Sequence, residues 1–257
     1  MVSPPSESTS GNLAASRLVV LLALAALWVF LMVWRLESRS LQVDEFLTCY
    51  RTESRTLPED FMHPRTYYLY MRTWVQIAGS TDAALRLAGL LPAVVAVAGT
   101  GLLAWWLLPW PGPVAAMALV CLSSELLLYW RMARYFAPVA GAFCLAMVGA
   151  VGYLRTGRGR WLLLLAVGTA LTAYSDYLPA LTLILPWGWV LVRALRKRES
   201  WSVWPVVAAA VTTVTAVLPA VLWACEGSRQ VTHPFRADSG SVALLKGGLA
   251  AWSLLAS

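Results

Sequence analysis

Two adjacent carboxylates, Asp44 and Glu45, stand near the start of a polar stretch running from Ser40 to Trp74 in a chain that is otherwise largely apolar. A carboxylate in a water-poor pocket has its pKa raised and can take a proton from a hydroxyl or amine nucleophile. The plain alternative is a solvated loop pair, but their place between Val43 and Phe46, just beyond an apolar helix, favours the general base. The stretch continues through His63-Pro64 to Tyr67 and Tyr68; His63 reads either as a metal or phosphate ligand or as an ordinary loop histidine. Arg131 and Arg134 are three apart, so a continuous helix would present both on one face. Two guanidiniums can grip one phosphate, a task that suits arginine better than lysine; arginines at a helix end also snorkel. Asp176, between Tyr174-Ser175 and Tyr177, could bind a sugar hydroxyl or a metal, or cap the helix that starts ahead of Pro179.

The elements that must position these residues are membrane helices. Of 257 residues, 59% are hydrophobic and 13% charged, where a soluble domain carries about 25% charged residues. Spanning a bilayer takes roughly 20 apolar residues in a helix, and the alternating pattern of a barrel is absent. Residues 1–16 read as a disordered polar tail. Apolar spans are expected at Leu18–Trp34, Leu87–Leu108, Val114–Tyr129 and Tyr135–Leu154. The run Trp161–Val192 is too long for one span and is split into two short helices with Asp176 between them. Val203–Cys225 is the seventh span and Val242–Ala256, interrupted by Lys246, a weak eighth. Tyr67–Ile77 is amphipathic and too short to cross, so it is expected to lie along the interface. The fold class is therefore all-α: a polytopic bundle of about seven to eight spans, whose first loop, residues 36–83, carries the interfacial segment.

The net charge of +7 does not indicate nucleic acid, because the basic residues sit in short loops between apolar runs. Cys49, Cys121, Cys144 and Cys225 have no metal-type spacing and imply no disulfide framework. Glu125, inside the third apolar run, is expected as a buried partner of Arg131 or Arg134. If the loops around Arg155–Arg160 and Arg193–Arg198 are cytoplasmic, the tail and the Pro109–Pro113 turn share that side. The carboxylate loop, the Arg131–Arg134 turn, Asp176 and the Glu226–Ser241 loop then gather on the outer one.

The blocks Asp44-Glu45, His63-Pro64 with Tyr67-Tyr68, and Ala84-Leu85-Arg86-Leu87 resemble the opening of C-type (GT-C) membrane glycosyltransferases. That group includes protein O-mannosyltransferases and lipid A aminoarabinose transferases. Tyr129-Trp130-Arg131-Met132-Ala133-Arg134-Tyr135 is similar to its tyrosine-to-arginine motif, and Tyr174-Ser175-Asp176-Tyr177 to a later aromatic motif. The blocks agree in order over residues 17 to 194. The resemblance implies transfer of a sugar from a polyprenyl-phosphate donor to a lipid, glycan or protein acceptor at the outer face of a bacterial inner or plasma membrane. Asp44 would be the catalytic base, with Glu45 supporting it. Arg134 would bind the carrier phosphate, and His63 and the tyrosines would shape the pocket or hold a divalent metal. Arg131 and Met132 stand where the family usually has a glutamine and an acid, which leaves metal dependence open. Further helices are expected beyond Ser257, so the chain reads as truncated. A transporter and a non-catalytic membrane protein are the other classes compatible with the sequence; internal repeats, which a transporter would favour, are not seen.

Overall fold

The computed structural model describes residues 7–34, 65–196 and 203–232, and every element among them is a helix. The carboxylate loop and the Val242–Ala256 run lie outside the described residues. In chain order the helices are α1 (Glu7–Val33), α2 (Arg65–Ala78), α3 (Asp82–Leu87), α4 (Leu90–Leu107), α5 (Gly112–Leu122) and α6 (Ser124–Arg131). They continue as α7 (Phe136–Thr156), α8 (Gly159–Ser175), α9 (Tyr177–Thr182), α10 (Ile184–Arg196) and α11 (Val203–Thr232). Four segments are long and apolar enough to cross a membrane: Ala15–Val33, Asp82–Leu107, Phe136–Thr156 and Val203–Leu222. The α5–α6 pair makes a fifth if its bent halves form one span. The coarse expectation of a helical membrane protein is thus met. The 17 residues of α8 reach only about 26 Å, and α9 and α10 are shorter still.

Three local differences from the sequence reading have physical causes. Residues 7–16, expected as disordered tail, continue α1 toward its N-terminus; once an apolar helix is nucleated, each added residue gains a hydrogen bond, and Pro4 and Pro5 lie ahead of the start. The expected single span Val114–Tyr129 is broken at Ser123, with a 53° bend. Ser123 is extended and its hydroxyl accepts from the Leu126 amide at 3.3 Å, capping α6 in place of continuing α5. Glu125 is exposed in the first turn of α6, not buried, and there a carboxylate complements the helix dipole. The expected break at Asp176 is present, followed by a second at Leu183.

At the centre of the bundle, α7 has 50% of its apolar window buried, against 17% for α1 and for α11. Small residues allow this. A Cβ on Gly149 would collide with the backbone nitrogen of Leu165 in α8, and one on Gly168 of α8 with that of Ala146. On an adjoining face of α7, a Cβ on Gly141 would come 2.5 Å from the Pro92 carbonyl of α4. Backbones approach this closely in membranes because apolar side chains gain little by leaving lipid for one another, so packing and hydrogen bonds carry association. Trp187 of α10 adds one such bond, its indole donating to Thr169 of α8 at 3.1 Å. Tyr174 donates to the Ala216 carbonyl of α11 at 2.8 Å. α1 joins through a separate cluster in which Trp28 meets Trp130 edge-on, with centroids 5.8 Å apart.

The two ends of the bundle carry different chemistry. At one end Arg17 lies over the Trp110 ring, 5.1 Å from its centroid, and Arg155 donates to the Trp106 carbonyl at 2.6 Å. Arg158 and Arg160 follow on the same connection. At the other end lie Trp34, α2, α3, the turn between α6 and α7, and Asp176. Arg17 near the start of α1, the Pro-rich turn and the Arg155 loop therefore share one side, and the Arg131–Arg134 turn and Asp176 share the other.

Gly149→Val should lower the stability of the detergent-solubilised chain by about 1–3 kcal/mol, read as a drop in thermal or SDS unfolding midpoint. Gly159→Ala, where the added carbon has nothing within 4 Å, should leave it unchanged or slightly raised. Equal shifts for the two would contradict the close α7–α8 approach.

Candidate functional site

The site end is built where helices are interrupted. α3 starts on Thr81, whose hydroxyl accepts from the Ala84 amide at 3.2 Å, and stops at Ala88–Gly89 before α4 begins. That interruption frees backbone carbonyls in an apolar setting, and α2 answers them. The Trp74 indole donates to the Ala84 carbonyl at 2.7 Å and the Tyr70 hydroxyl donates to the Ala88 carbonyl. Burial holds the Tyr70 phenol above its ordinary pKa, so it stays a donor. α2 is amphipathic as expected: Tyr67, Tyr68 and Met71 are buried, while Leu69, Thr73, Gln76 and Ile77 face outward. The buried face packs on Leu85, Ala88 and Ala133.

Arg131 and Arg134 do not share a helix face. α6 ends at Arg131, Met132 is extended, and Arg134 follows in a turn whose amide reaches the Met132 carbonyl at 2.7 Å. Ala133 is buried between them, and Gly89 lets the Trp130 carbonyl approach the α3–α4 junction. The turn is therefore pinned beneath α2 and α3. Arg131 reaches away to the Trp34 carbonyl at the end of α1, 2.7 Å from it. Arg134 instead lies against Tyr135, 5.4 Å from its ring centroid and hydrogen-bonded to the phenol.

Tyr135 is the hub that sequence reasoning passed over. Its ring meets Tyr67 edge-on at 6.3 Å and tilts onto Phe136 at 4.8 Å. Burial above all, then the Asp176 carboxylate and Tyr68, push its phenol above the ordinary tyrosine range, while Arg134 pulls it back down. At neutral pH it is a neutral hydroxyl that both a cation and an anion influence. Asp176 occupies the break between α8 and α9 with an extended backbone, its amide bonded to the Thr172 carbonyl at 2.8 Å.

Behind this polar edge is a cavity of about 510 Å³ between α4, α5, α6, α7 and α9. Tyr129, Tyr135 and Asp176 mark its polar part, and Ala96, Val139 and Phe143 are among its apolar walls. Thr100 and Cys144, 3.8 Å apart, also line it.

Of the residues singled out from the sequence, Tyr67, Tyr68, Arg134 and Asp176 gather near Tyr135, while Arg131 donates to the Trp34 carbonyl. Asp44, Glu45 and His63 lie outside the described residues. Among the described residues, no group of three or more His, Cys, Asp or Glu side chains is placed to hold a metal. Sequence reasoning also assigned no part to Arg86, the one charged side chain that is buried among the described residues. Its signal was visible: an arginine within the apolar run Ala84-Leu85-Arg86-Leu87 is expensive unless it has a partner. No protein-family model, characterised protein or solved structure matches the chain.

Tyr70→Phe with Trp74→Phe removes both bonds to the α3–α4 junction, each worth about 1 kcal/mol. Amides of residues 65–78 should then exchange roughly tenfold or more faster by hydrogen-exchange mass spectrometry, with α7 and α8 unchanged. Unaltered exchange in α2 would mean that these bonds do not anchor it.

Proposed function

We propose that the chain is a membrane glycosyltransferase that moves a sugar from a polyprenyl-phosphate donor to a lipid, glycan or protein acceptor. The observation that carries this is the adjacency of the Arg134–Tyr135 turn to the apolar cavity of about 510 Å³. A phosphate-headed prenyl lipid has the matching division, an anionic head at a guanidinium and an apolar chain among helices. In this reading Arg134 holds the carrier phosphate and Tyr135 fixes the guanidinium. Tyr67 meets that ring edge-on, and Tyr68 packs against Tyr67. Asp44, with Glu45 beside it, takes the proton of the acceptor hydroxyl or amine as that atom attacks the anomeric carbon. The bond from that carbon to the phosphate oxygen breaks, and the electron pair leaves with the polyprenyl phosphate, its charge offset by Arg134. The order of the family-like blocks along the chain supports the same reading.

Orientation follows from charge. The end bearing Arg17, Arg155, Arg158 and Arg160 is assigned to the cytoplasm and the Arg134–Asp176 end to the outside.

Membranes containing the chain, given radiolabelled polyprenyl-phosphate sugars, should show transfer. Asp44→Asn should reduce it by about 10²–10⁴-fold, the range for losing a general base, with membrane insertion unchanged. Arg134→Gln should raise the donor requirement, whereas Arg131→Gln should act mainly on stability. Transfer undiminished in Asp44→Asn would overturn the assigned base, and undiminished donor affinity in Arg134→Gln would overturn the phosphate site.

A further inference from the structure

A second concavity, of about 600 Å³, lies away from the arginine turn, where α1 packs on α4 and α5. Trp28, Val97 and Met117 form its buried floor, while Leu18, Leu22 and Trp105 are exposed along its rims, so it is a groove open toward lipid. Gly101 keeps the floor recessed, because a Cβ there would come 2.9 Å from the Met117 sulfur. On α1 the lining runs from Ala15 to Val29, a rise of about 21 Å, against roughly 15 Å for one leaflet of the hydrocarbon core. Spread over that length, the volume gives a cross-section of roughly 30 Å², room for one hydrocarbon chain, where a helix about 10 Å across needs roughly 80 Å².

The groove has a cation at one mouth. Arg17 stands one turn before Leu21 and three before Trp28 on the same stripe of α1, and both of those residues line the groove. Its guanidinium lies over the Trp110 ring, 5.1 Å from the centroid, which holds the side chain in place. Contact through the face of the guanidinium leaves its in-plane N–H donors directed at the surroundings, the geometry that suits a phosphate. Trp105 and Trp110 mark this mouth as headgroup level. Other arginines of this end serve the neighbouring helices: Arg155 donates to the Trp106 carbonyl, and Arg160 lies over Trp161, whose ring meets Trp106 edge-on. The acids Asp82 and Asp176 belong to the opposite end of the bundle.

We propose that this groove binds an anionic phospholipid, with one acyl chain between α1, α4 and α5 and the headgroup phosphate at Arg17. The apolar groove alone would accept the chain of any lipid. The guanidinium fixed at its mouth adds a preference for net negative charge, roughly fivefold for one basic residue near the surface. Snorkelling explains an arginine near a helix end, but gives no reason for one laid on a ring at the mouth of a groove one chain wide. The inference does not depend on the glycosyltransferase reading, since it concerns the leaflet at the end away from Arg134.

Native mass spectrometry of the full chain tests it, with the protein released from micelles holding equal amounts of phosphatidylglycerol and phosphatidylcholine of the same acyl chains. The unaltered chain should retain phosphatidylglycerol roughly fivefold over phosphatidylcholine. Arg17→Gln should bring the two to parity. Ala98→Phe, which places a ring in the groove from α4, should lose the retained lipid of either kind at unchanged helicity. Equal retention of the two lipids by the unaltered chain would overturn the charge selection, and a preference surviving Arg17→Gln would overturn the headgroup site. Lipid retained undiminished by Ala98→Phe would overturn the groove as the place of the chain. A lipid-free dimer would show that a second copy covers this face, which overturns the inference as a whole.

Discussion

A backbone that passes through lipid must satisfy its own hydrogen bonds, and the structure depends on how it does so where helices break. Five interruptions fall among the described residues in the apolar part of the chain: Ala88–Gly89, Ser123, residues 132–135, Asp176 and Leu183. Three of them gather at one end, and side chains answer the groups they free. Tyr70 and Trp74 reach from α2 to carbonyls at the first, and the turn at 132–135 is packed under the same helix. The interfacial helix is thus part of the closure of the bundle, and the polar residues of the site are held by the groups that complete the broken spans.

The central helix transmits this arrangement. Because Gly141 and Gly149 open adjoining faces of α7, it can press against α4 and α8 at backbone distance. Its first residues then necessarily sit between the α3–α4 junction and the end of α8, which brings Tyr135 to Asp176. The cavity follows from the same geometry: the bend at Ser123 turns α6 away from the line of α5, leaving room that Thr100, Phe143 and Cys144 line from within the bundle. A straight third span would have left Tyr129 and Trp130 differently placed relative to α7.

Much of this was legible in residue order because burial in lipid leaves a coarse signature. The extent of α7, the amphipathic face of α2 and the break at Asp176 follow from apolar run length, periodicity and the cost of an acid in a long run. The break at Ser123 was not legible, since serine inside an apolar segment can equally bond to its own helix. The fate of Arg131 and Arg134 was hidden for a related reason: their spacing implies a shared face only while the helix continues, and α6 stops at the first of them. Tyr135 was overlooked because an aromatic beside a membrane helix ordinarily marks the interface. Its electrostatic coupling to Asp176 joins residues 41 positions apart in the chain that line one cavity, a proximity that no local pattern encodes.

The two arginines of the turn can be separated by comparison with the far end of the bundle. The last carbonyls of a helix lack intrahelical donors, and cations near them are favoured. Arg155 serves that need for α4 by donating to the Trp106 carbonyl. Arg131 repeats the arrangement for α1 at the Trp34 carbonyl, in a part of the molecule with different chemistry. A role found at both ends is a property of helix termini, and it leaves Arg131 as a tie between α1 and α6. Arg134 is different: its guanidinium lies over the Tyr135 ring, at the edge of an apolar cavity that Tyr135 and Asp176 both line. Terminus capping supplies no reason for that placement, whereas the role proposed above for Arg134, holding an anionic head group, would supply one.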